Sequence, residues 1–285
     1  MRSAVDGSPA LVDIIDGLRD LPSLPAVVGE LLGAMDNPGV ALDVLAHKIA
    51  HDQALAAKTL RLANSSFYGT RSRAATLRDA IAILGLRALR TVVVAAAVTS
   101  AFSRPRASTF DFEAFWRHCI CTALCARPLA RTLGLNEDIA FTAGLLHDVG
   151  RLVLVTRRTA EYEQLLKRRT TEDVDALRTE RAVLGVDHVE AGVALARHWR
   201  FPASIVDAIA AHHAPEDAGA LTLIHVVHVG DAMAHALALS RRGAGEVPTL
   251  SVPTWSRFEL TDEAAASRFA EVDAQVQSVS EALAG

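Results

Sequence analysis

Apolar residues recur along most of this chain at the three- and four-residue spacing of helices that bury one face. One such segment follows Asp52, which is placed as its N-cap, and ends in small polar residues and glycine at 64–69. A second segment, Thr91 to Phe102, is almost entirely apolar, too short to cross a bilayer, and typical of a buried helix. The pattern predicts an all-α protein.

Prolines and capping residues predict where further helices begin and end. Pro128 is expected to kink or shorten the helix that contains it, and Asn136 is placed to cap the next one. Asp187 and Glu190 have the spacing of a capping box. His188 is therefore predicted to be the first residue of a helix.

The chain divides into three regions by composition. A proline-containing segment at 103–106 is predicted to be a linker, which separates an N-terminal helical half, 11–105, from a second helical unit, 106–240. The last residues, 241–285, mix glycine, proline and charged residues before a weak helical pattern over 263–283. We expect this C-terminal tail to be partly helical.

Composition and charge narrow the functional classes. Of the 285 residues, 51% are hydrophobic and only 5% are aromatic, and the excess of Ala, Leu and Val favours tightly packed helices. The formal net charge of −4 offers no electrostatic argument for binding phosphate groups, so we expect no nucleic-acid partner. Acidic residues and prolines interrupt the first thirty positions, unlike a signal peptide. We therefore expect a cytoplasmic protein without a membrane partner.

Seven His and Asp side chains lie where an apolar helical pattern would more cheaply carry aliphatic residues. Neutral imidazole and carboxylate groups are ligands of Fe, Mn, Zn and Ni, and this set is large enough for one or two divalent ions. A dinuclear site needs a bridging carboxylate, for which Asp148 is the natural candidate, and it could polarise a phosphoryl oxygen. Each histidine taken alone has an alternative explanation as a hydrogen-bonded core residue. The set is His118, His147, Asp148, His188, His212, His213 and Asp231.

Cysteine offers an alternative composition for such a site. Cys119, Cys121 and Cys125 all fall on one predicted helix, which argues against a disulfide framework. Helical geometry places Cys121 and Cys125 on one face, close to the face of His118. A Cys/His metal site therefore stays open beside the simpler interpretation of small core residues.

Three further histidines are interpreted as core or partly exposed residues and left out of the site. His225, His228 and His235 form a stripe with Asp231 along one predicted helix, where His228 could also support a metal ligand. Charged residues between 157 and 181 indicate exposed helices that cover the core without contributing to the site.

The order and spacing of these residues resemble the motif of the HD superfamily of metal-dependent phosphohydrolases, especially that of its HD-GYP branch. The resemblance is carried by His118, the segment 144–151 (Gly-Leu-Leu-His-Asp-Val-Gly-Arg), His188, the pair at 212–213, and Asp231. It implies that the seven residues are metal ligands.

The first half of the chain resembles a more specific relative, the HDOD domain, an HD-related output domain of bacterial signalling proteins. The similar segments are Ile49 to Gly69, Ala80 to Gly85 and Leu21 to Pro25. This resemblance implies an all-helical, HD-superfamily-like bundle preceded by an N-terminal helical subdomain, with a regulatory role and without demonstrated hydrolase activity.

Two departures from the HD-GYP pattern also weaken the case for an enzyme. Arg151 stands where that branch carries lysine, which keeps the charge but changes its geometry. The Gly-Tyr-Pro segment that follows the His-His pair in that branch is replaced by Ala214 to Gly219.

Three functional hypotheses follow. The first is an HDOD signal-transduction protein that acts through contacts with a signalling partner and keeps its metal for structure or sensing. The second is a metal-dependent phosphohydrolase of a nucleotide or cyclic dinucleotide, in which Asp148 bridges the metals and Arg151 steadies the phosphate. The third is a receptor that binds a nucleotide without hydrolysing it.

Overall fold

The computed structural model describes residues 9–17, 24, 28–29, 47, 49–65, 73–102, 109–167, 173–216, 219–242, 250–259 and 261–284. Over these residues the chain forms helices and turns without any strand, which confirms the all-α prediction. The helices are α1 Pro9–Gly17, α2 Gln53–Ala63, α3 Leu77–Ala101, α4 Phe112–Thr132, α5 Glu137–Leu146, α6 Val149–Arg157, α7 Thr159–Lys167, α8 Asp173–Leu184, α9 His188–His198, α10 Ala203–Ala211, α11 Leu223–Arg242, α12 Val252–Ser256 and α13 Asp262–Ala284.

Several sequence features fall outside the described residues. They are the predicted linker at 103–106, most of the segment 21–25, the end of the first HDOD-like segment at 66–69, and residues 217–218. The predicted boundaries between the three regions stay predictions.

Helices α2 and α3 pack against each other in the N-terminal half. Asp52 caps α2 as predicted, because its side chain accepts a hydrogen bond from Leu55 N at 3.0 Å. Helix α3 is kinked at Gly85, where φ is 76° and a side chain would be strained. Its second part is the apolar segment of the sequence, and residues 91–98 are all buried.

Helix α4 is the central element of the second half, where α5 and α11 pack against it. Glycines allow the close approach: a Cβ added to Gly144 would lie 2.8 Å from Ala123 Cα, and one added to Gly230 would lie 3.1 Å from Thr122 O. Pro128 neither shortens nor ends α4, which continues to Thr132, so that expectation was wrong in this respect.

Helices α6 and α9 also meet at a glycine contact. A Cβ added to Gly150 would lie 1.8 Å from His188 O and 2.5 Å from Gly192 N. Because these are backbone atoms of the facing helix, only glycine fits at position 150. The contact holds Asp148, two residues earlier, close to the first turn of α9.

One stretch, Glu137–Arg157, is long and apolar enough to cross a membrane by composition. It consists of two helices, α5 and α6, separated at His147 and Asp148, and 83% of its apolar window is buried inside the protein. The stretch therefore forms part of the protein core.

The C-terminal tail contributes α12 and the long helix α13. Helix α13 packs against α4, α2 and α3, and it buries Val272, Val276, Val279 and Leu283. The tail thus contacts both the N-terminal half and the second unit.

Candidate metal centre

The seven predicted side chains come from five places in the chain that the fold brings together. His118 lies on α4, His147 and Asp148 lie between α5 and α6, and Asp231 lies on α11. His188 begins α9, and His212 and His213 follow α10. The structure therefore places every predicted ligand at one centre.

One part of the centre surrounds Asp231. Its Oδ1 atom lies 3.0 Å from His118 Nε2 and 3.5 Å from His147 Nε2. The two imidazole nitrogens are themselves 3.3 Å apart. These atoms are close enough to share one ion.

The other part surrounds Asp148. Its Oδ1 atom lies 3.2 Å from His188 Nε2 and 3.7 Å from His212 Nε2, while His213 Nε2 lies 2.9 Å from His188 Nε2. The Oδ2 atom of Asp148 is 3.7 Å from His147 Nε2. Asp148 thus belongs both to a group with His188, His212 and His213 and to a group with His118 and His147.

Local hydrogen bonds orient three of the imidazole rings. His147 Nδ1 donates to Gly144 O at 2.7 Å, and His212 Nδ1 donates to Ile209 O at 2.9 Å. His188 Nδ1 lies 2.7 Å from the carboxylate of Glu180. With Nδ1 bonded in this way, each Nε2 faces the centre, which is the arrangement of metal-ligating histidines.

Unsatisfied buried atoms test whether a metal ion fits. Asp148 Oδ1, Asp231 Oδ1 and His212 Nε2 are buried and make no hydrogen bond of normal geometry among the described residues. Leaving such acceptors without a partner is costly. A divalent cation would satisfy all three, so the residues present fit a metal.

The two carboxylates are ionised in this environment. Burial raises the pKa of Asp148, but Arg151, His147 and His188 outweigh it and hold the pKa well below its usual range. Burial likewise raises the pKa of Asp231, but hydrogen bonds from His118 and His147 outweigh burial and hold this pKa well below its usual range. Both groups are therefore carboxylates at neutral pH, the form that binds metal.

The histidines divide into two electrostatic classes. Burial lowers the pKa of His212 and of His213, so both stay neutral. Burial also lowers the pKa of His147, but Asp148 and Asp231 outweigh it and raise the pKa to about 9. The carboxylate of Glu180 similarly overcomes burial and raises the pKa of His188.

Arg151 contacts the centre directly. Its Nε atom lies 2.9 Å from Asp148 Oδ2, and its side chain is 15% exposed. The guanidinium of Arg151 therefore forms an ion pair with Oδ2 of Asp148, the carboxylate that belongs to both candidate ligand groups.

The sequence did not predict that Glu180 contacts the site, because the charged residues around it indicated exposed helices. It is 2% exposed, and its Oε2 atom lies within 2.8 Å of both the backbone nitrogen and Nδ1 of His188. Burial raises the pKa of Glu180, but His188 reverses this and lowers it. Its eight-residue separation from His188 crosses a turn, so helical spacing could not reveal the contact.

The three histidines left out of the site have different roles. His228 Nδ1 donates to His212 O at 2.7 Å and so supports a predicted ligand through its backbone. His225 Nε2 donates to Glu216 O, a structural contact. His235 was missed: its Nε2 atom lies 3.4 Å from Asp231 Oδ1, and it could join a group with His118.

The cysteine alternative receives no support from the described part of the chain. Cys119, Cys121 and Cys125 are free and buried, and the groups able to hold a metal there contain only His and Asp. Burial raises the pKa of Cys119 well above its usual value, which opposes the thiolate that a metal requires.

Comparison with known proteins identifies relatives of the chain. A solved structure from Shewanella amazonensis, provisionally named a phosphohydrolase, has a TM-score of 0.75 and 28% identity, and covers 97% of this chain and 98% of that one. An uncharacterized protein of Treponema pallidum is 30% identical over 217 residues, 72% of this chain and 40% of that protein. Ribonuclease Y of Thermus thermophilus is 37% identical over 128 residues, 45% of this chain and 17% of the enzyme.

This chain thus spans less than half the length of both curated relatives. The sequence profile of the HDOD domain matches residues 21–215, which is more than half of the chain. The N-terminal signature, the ordered His and Asp residues and the all-helical fold agree with this match. The chain belongs to the HDOD family.

Proposed function

We propose that this protein is an HDOD regulatory protein that holds a divalent metal centre and acts through contacts with a signalling partner. The observation that carries the proposal is the burial of the ligand set. His147, Asp148, His188, His212 and Asp231 are each at most 4% exposed. His118 and His213 are half-buried. Burial of the other five ligands limits the access of a substrate to the ions, whereas catalytic sites keep an open coordination position.

The seven predicted residues would hold the metal, with Asp148 shared between two positions. A bound divalent ion would supply a positive charge to two buried carboxylates and would link α4, α9 and α11 through their side chains. Arg151 would remain paired with Asp148 and would reduce the negative charge that the ions have to balance. We propose a cytoplasmic setting and leave the metal among Fe, Mn, Zn and Ni.

Metal analysis and thermal unfolding test this proposal. Purified protein should contain stoichiometric metal, and free metal at about one hundred times its Kd should stabilise the fold by about 2.7 kcal/mol. His147→Ala should abolish both effects. His198→Ala, which changes an exposed histidine on α9, is the matched control and should behave as the parent protein.

The sharing of Asp148 by two ligand groups favours a second candidate, a metal-dependent phosphohydrolase acting on a nucleotide or cyclic dinucleotide. Similarity to Ribonuclease Y and to a structure named a phosphohydrolase supports this alternative. Asp148 and Arg151 would be the residues that act on the phosphate. His118, whose side chain is 19% exposed, would lie at the entrance.

A hydrolysis screen separates the two candidates. Nucleotides, cyclic dinucleotides and short RNA are incubated with protein loaded with Mn or Fe. The regulatory proposal expects no turnover above the His147→Ala background. Robust product formation that is lost in His147→Ala and retained in His198→Ala would replace it with the hydrolase.

A further inference from the structure

A cavity lies between the N-terminal half, the second helical unit and the C-terminal tail. Its volume is about 320 Å³, and its walls come from α2, from the end of α3, from the first three turns of α4 and from α13. The residues that line it include none of the seven predicted metal ligands. This interhelical cavity is therefore a separate feature from the metal centre.

The interior of the interhelical cavity is apolar and partly aromatic. Phe102, Phe112, Ile120 and Leu283 line it and are all buried. Trp116 adds a half-buried indole that is held edge-on against Phe115, with ring centroids 5.1 Å apart. An aromatic ring of a ligand packed against these side chains would be stabilised both by the burial of its apolar surface and by stacking. The volume falls at the lower end of the range for small-molecule sites, roughly 300–1,000 Å³.

Two cations face the same cavity without a carboxylate partner. Lys58 Nζ makes one long hydrogen bond to Thr99 Oγ1 at 3.4 Å, and no ion pair joins Lys58 or Arg117 to another described residue. Burial, with a smaller effect from Arg61, lowers the pKa of Lys58. A half-buried cation without a counter-charge is costly and is relieved by an anion.

The carboxylates of the cavity do not fill this role. Glu113 and Glu281 line the exposed rim, and neither pairs with Lys58 or Arg117 among the described residues. Glu281 instead accepts a hydrogen bond from Gln277 Nε2 at 2.6 Å. The donors of Lys58 and Arg117 thus remain available to a bound molecule.

We propose that the interhelical cavity binds a small molecule with one flat aromatic ring and one anionic group. The ring would lie against Trp116 and the buried phenylalanines, and the anion, a phosphate or a carboxylate, would accept hydrogen bonds from Lys58 and Arg117. Such a ligand would touch both halves of the chain and the tail. The site would make the protein a receptor whose ligand does not bind at the metal centre.

Two probes distinguish the sources of the anion. Adenosine 5′-monophosphate carries a phosphate and indole-3-acetate carries a carboxylate, and each is titrated into the metal-loaded full chain by calorimetry and tryptophan fluorescence. At least one should bind saturably with a stoichiometry near one. Absence of saturable binding of both probes below about 1 mM would overturn the proposal.

Variants locate the binding. Lys58→Met and Arg117→Gln, made separately and checked by thermal unfolding, should each weaken binding at least about tenfold. Arg197→Gln, which changes an exposed cation on α9, should bind normally. Unchanged affinity in folded Lys58→Met and Arg117→Gln would contradict the assignment.

The metal centre serves as an independent control. His147→Ala removes a proposed metal ligand but no residue of the interhelical cavity, so it should retain probe binding. Loss of binding in His147→Ala together with retention in Lys58→Met would assign the probe to the metal centre and overturn this proposal. Neither result depends on whether the protein hydrolyses phosphoesters.

Discussion

At the scale of single residues, Glu180 is the group whose effect on the centre is easiest to isolate. It does not face the proposed metal but holds Nδ1 of His188. Carboxylates in this position fix the ring and increase its basicity, and their loss typically reduces metal affinity about 10–100-fold. Glu180→Gln should weaken metal binding by that factor in a chelator competition assay, whereas Glu161→Gln, which changes a partly exposed carboxylate on α7, should not. Equal affinity of both variants would contradict this role.

The same residues show why the candidate site was only partly predictable. Asp187 and Glu190 form the capping box that their spacing predicts, so the position of His188 at the start of α9 followed from local rules. Glu180 could not be found in this way, because its contact depends on how α8 folds back onto α9. His235 lies four residues after Asp231 on α11, so helical spacing does place it beside Asp231, but only the packing of α4 against α11 brings it close to His118.

At the scale of elements, the contact between α6 and α9 sets the shape of the centre. Gly150→Ala would place a Cβ 1.8 Å from His188 O, and backbone atoms of a packed helix cannot move aside cheaply. We expect the variant to lose about 3 kcal/mol or more of unfolding free energy, measured by denaturant titration. Gly29→Ala, whose Cβ meets nothing within 4 Å, should be near neutral. A Gly150→Ala variant as stable as Gly29→Ala would refute the close contact.

A surface ion pair links the end of α4 to the start of α5 and gives a pH-dependent prediction. Arg131 Nη2 lies 2.6 Å from Glu137 Oε2, and this contact lowers the pKa of Glu137 from 4.5. The contribution to stability is therefore fully present above pH 4.5 and is lost as the pH falls through the lowered pKa. Because Arg131 is exposed, we expect Glu137→Gln to cost only about 0.5 kcal/mol at pH 7. The difference from the parent protein should shrink as the pH falls below 4.5 through the lowered pKa, and a difference that stays constant over the whole acid range would exclude this origin.

At the scale of the whole molecule, the fold class and the kind of centre were predictable, but the arrangement of the tail was not. Helical periodicity and the order of His and Asp residues are local or sequential signals, and both are present in the printed sequence. The packing of α13 against α4 and α2 depends on surfaces more than a hundred residues apart. The interhelical cavity arises from that packing, so neither Lys58 nor Trp116 could be assigned to it from sequence.

The position of α13 predicts that the tail is part of the cooperative fold. Val279 is 0% exposed, and moving an ionised carboxylate from water to this buried point of the helix costs several kcal/mol. Val279→Asp should therefore unfold at a markedly lower temperature in one transition that also affects tryptophan residues outside the tail. Ala274→Asp places the same charge on the exposed face of α13 and should change stability by no more than about 1 kcal/mol. If Val279→Asp unfolds only the tail and leaves the main unfolding transition unchanged, α13 is not part of the cooperative fold. The interhelical cavity would then lose one of its walls without any change in the stability of the other helices.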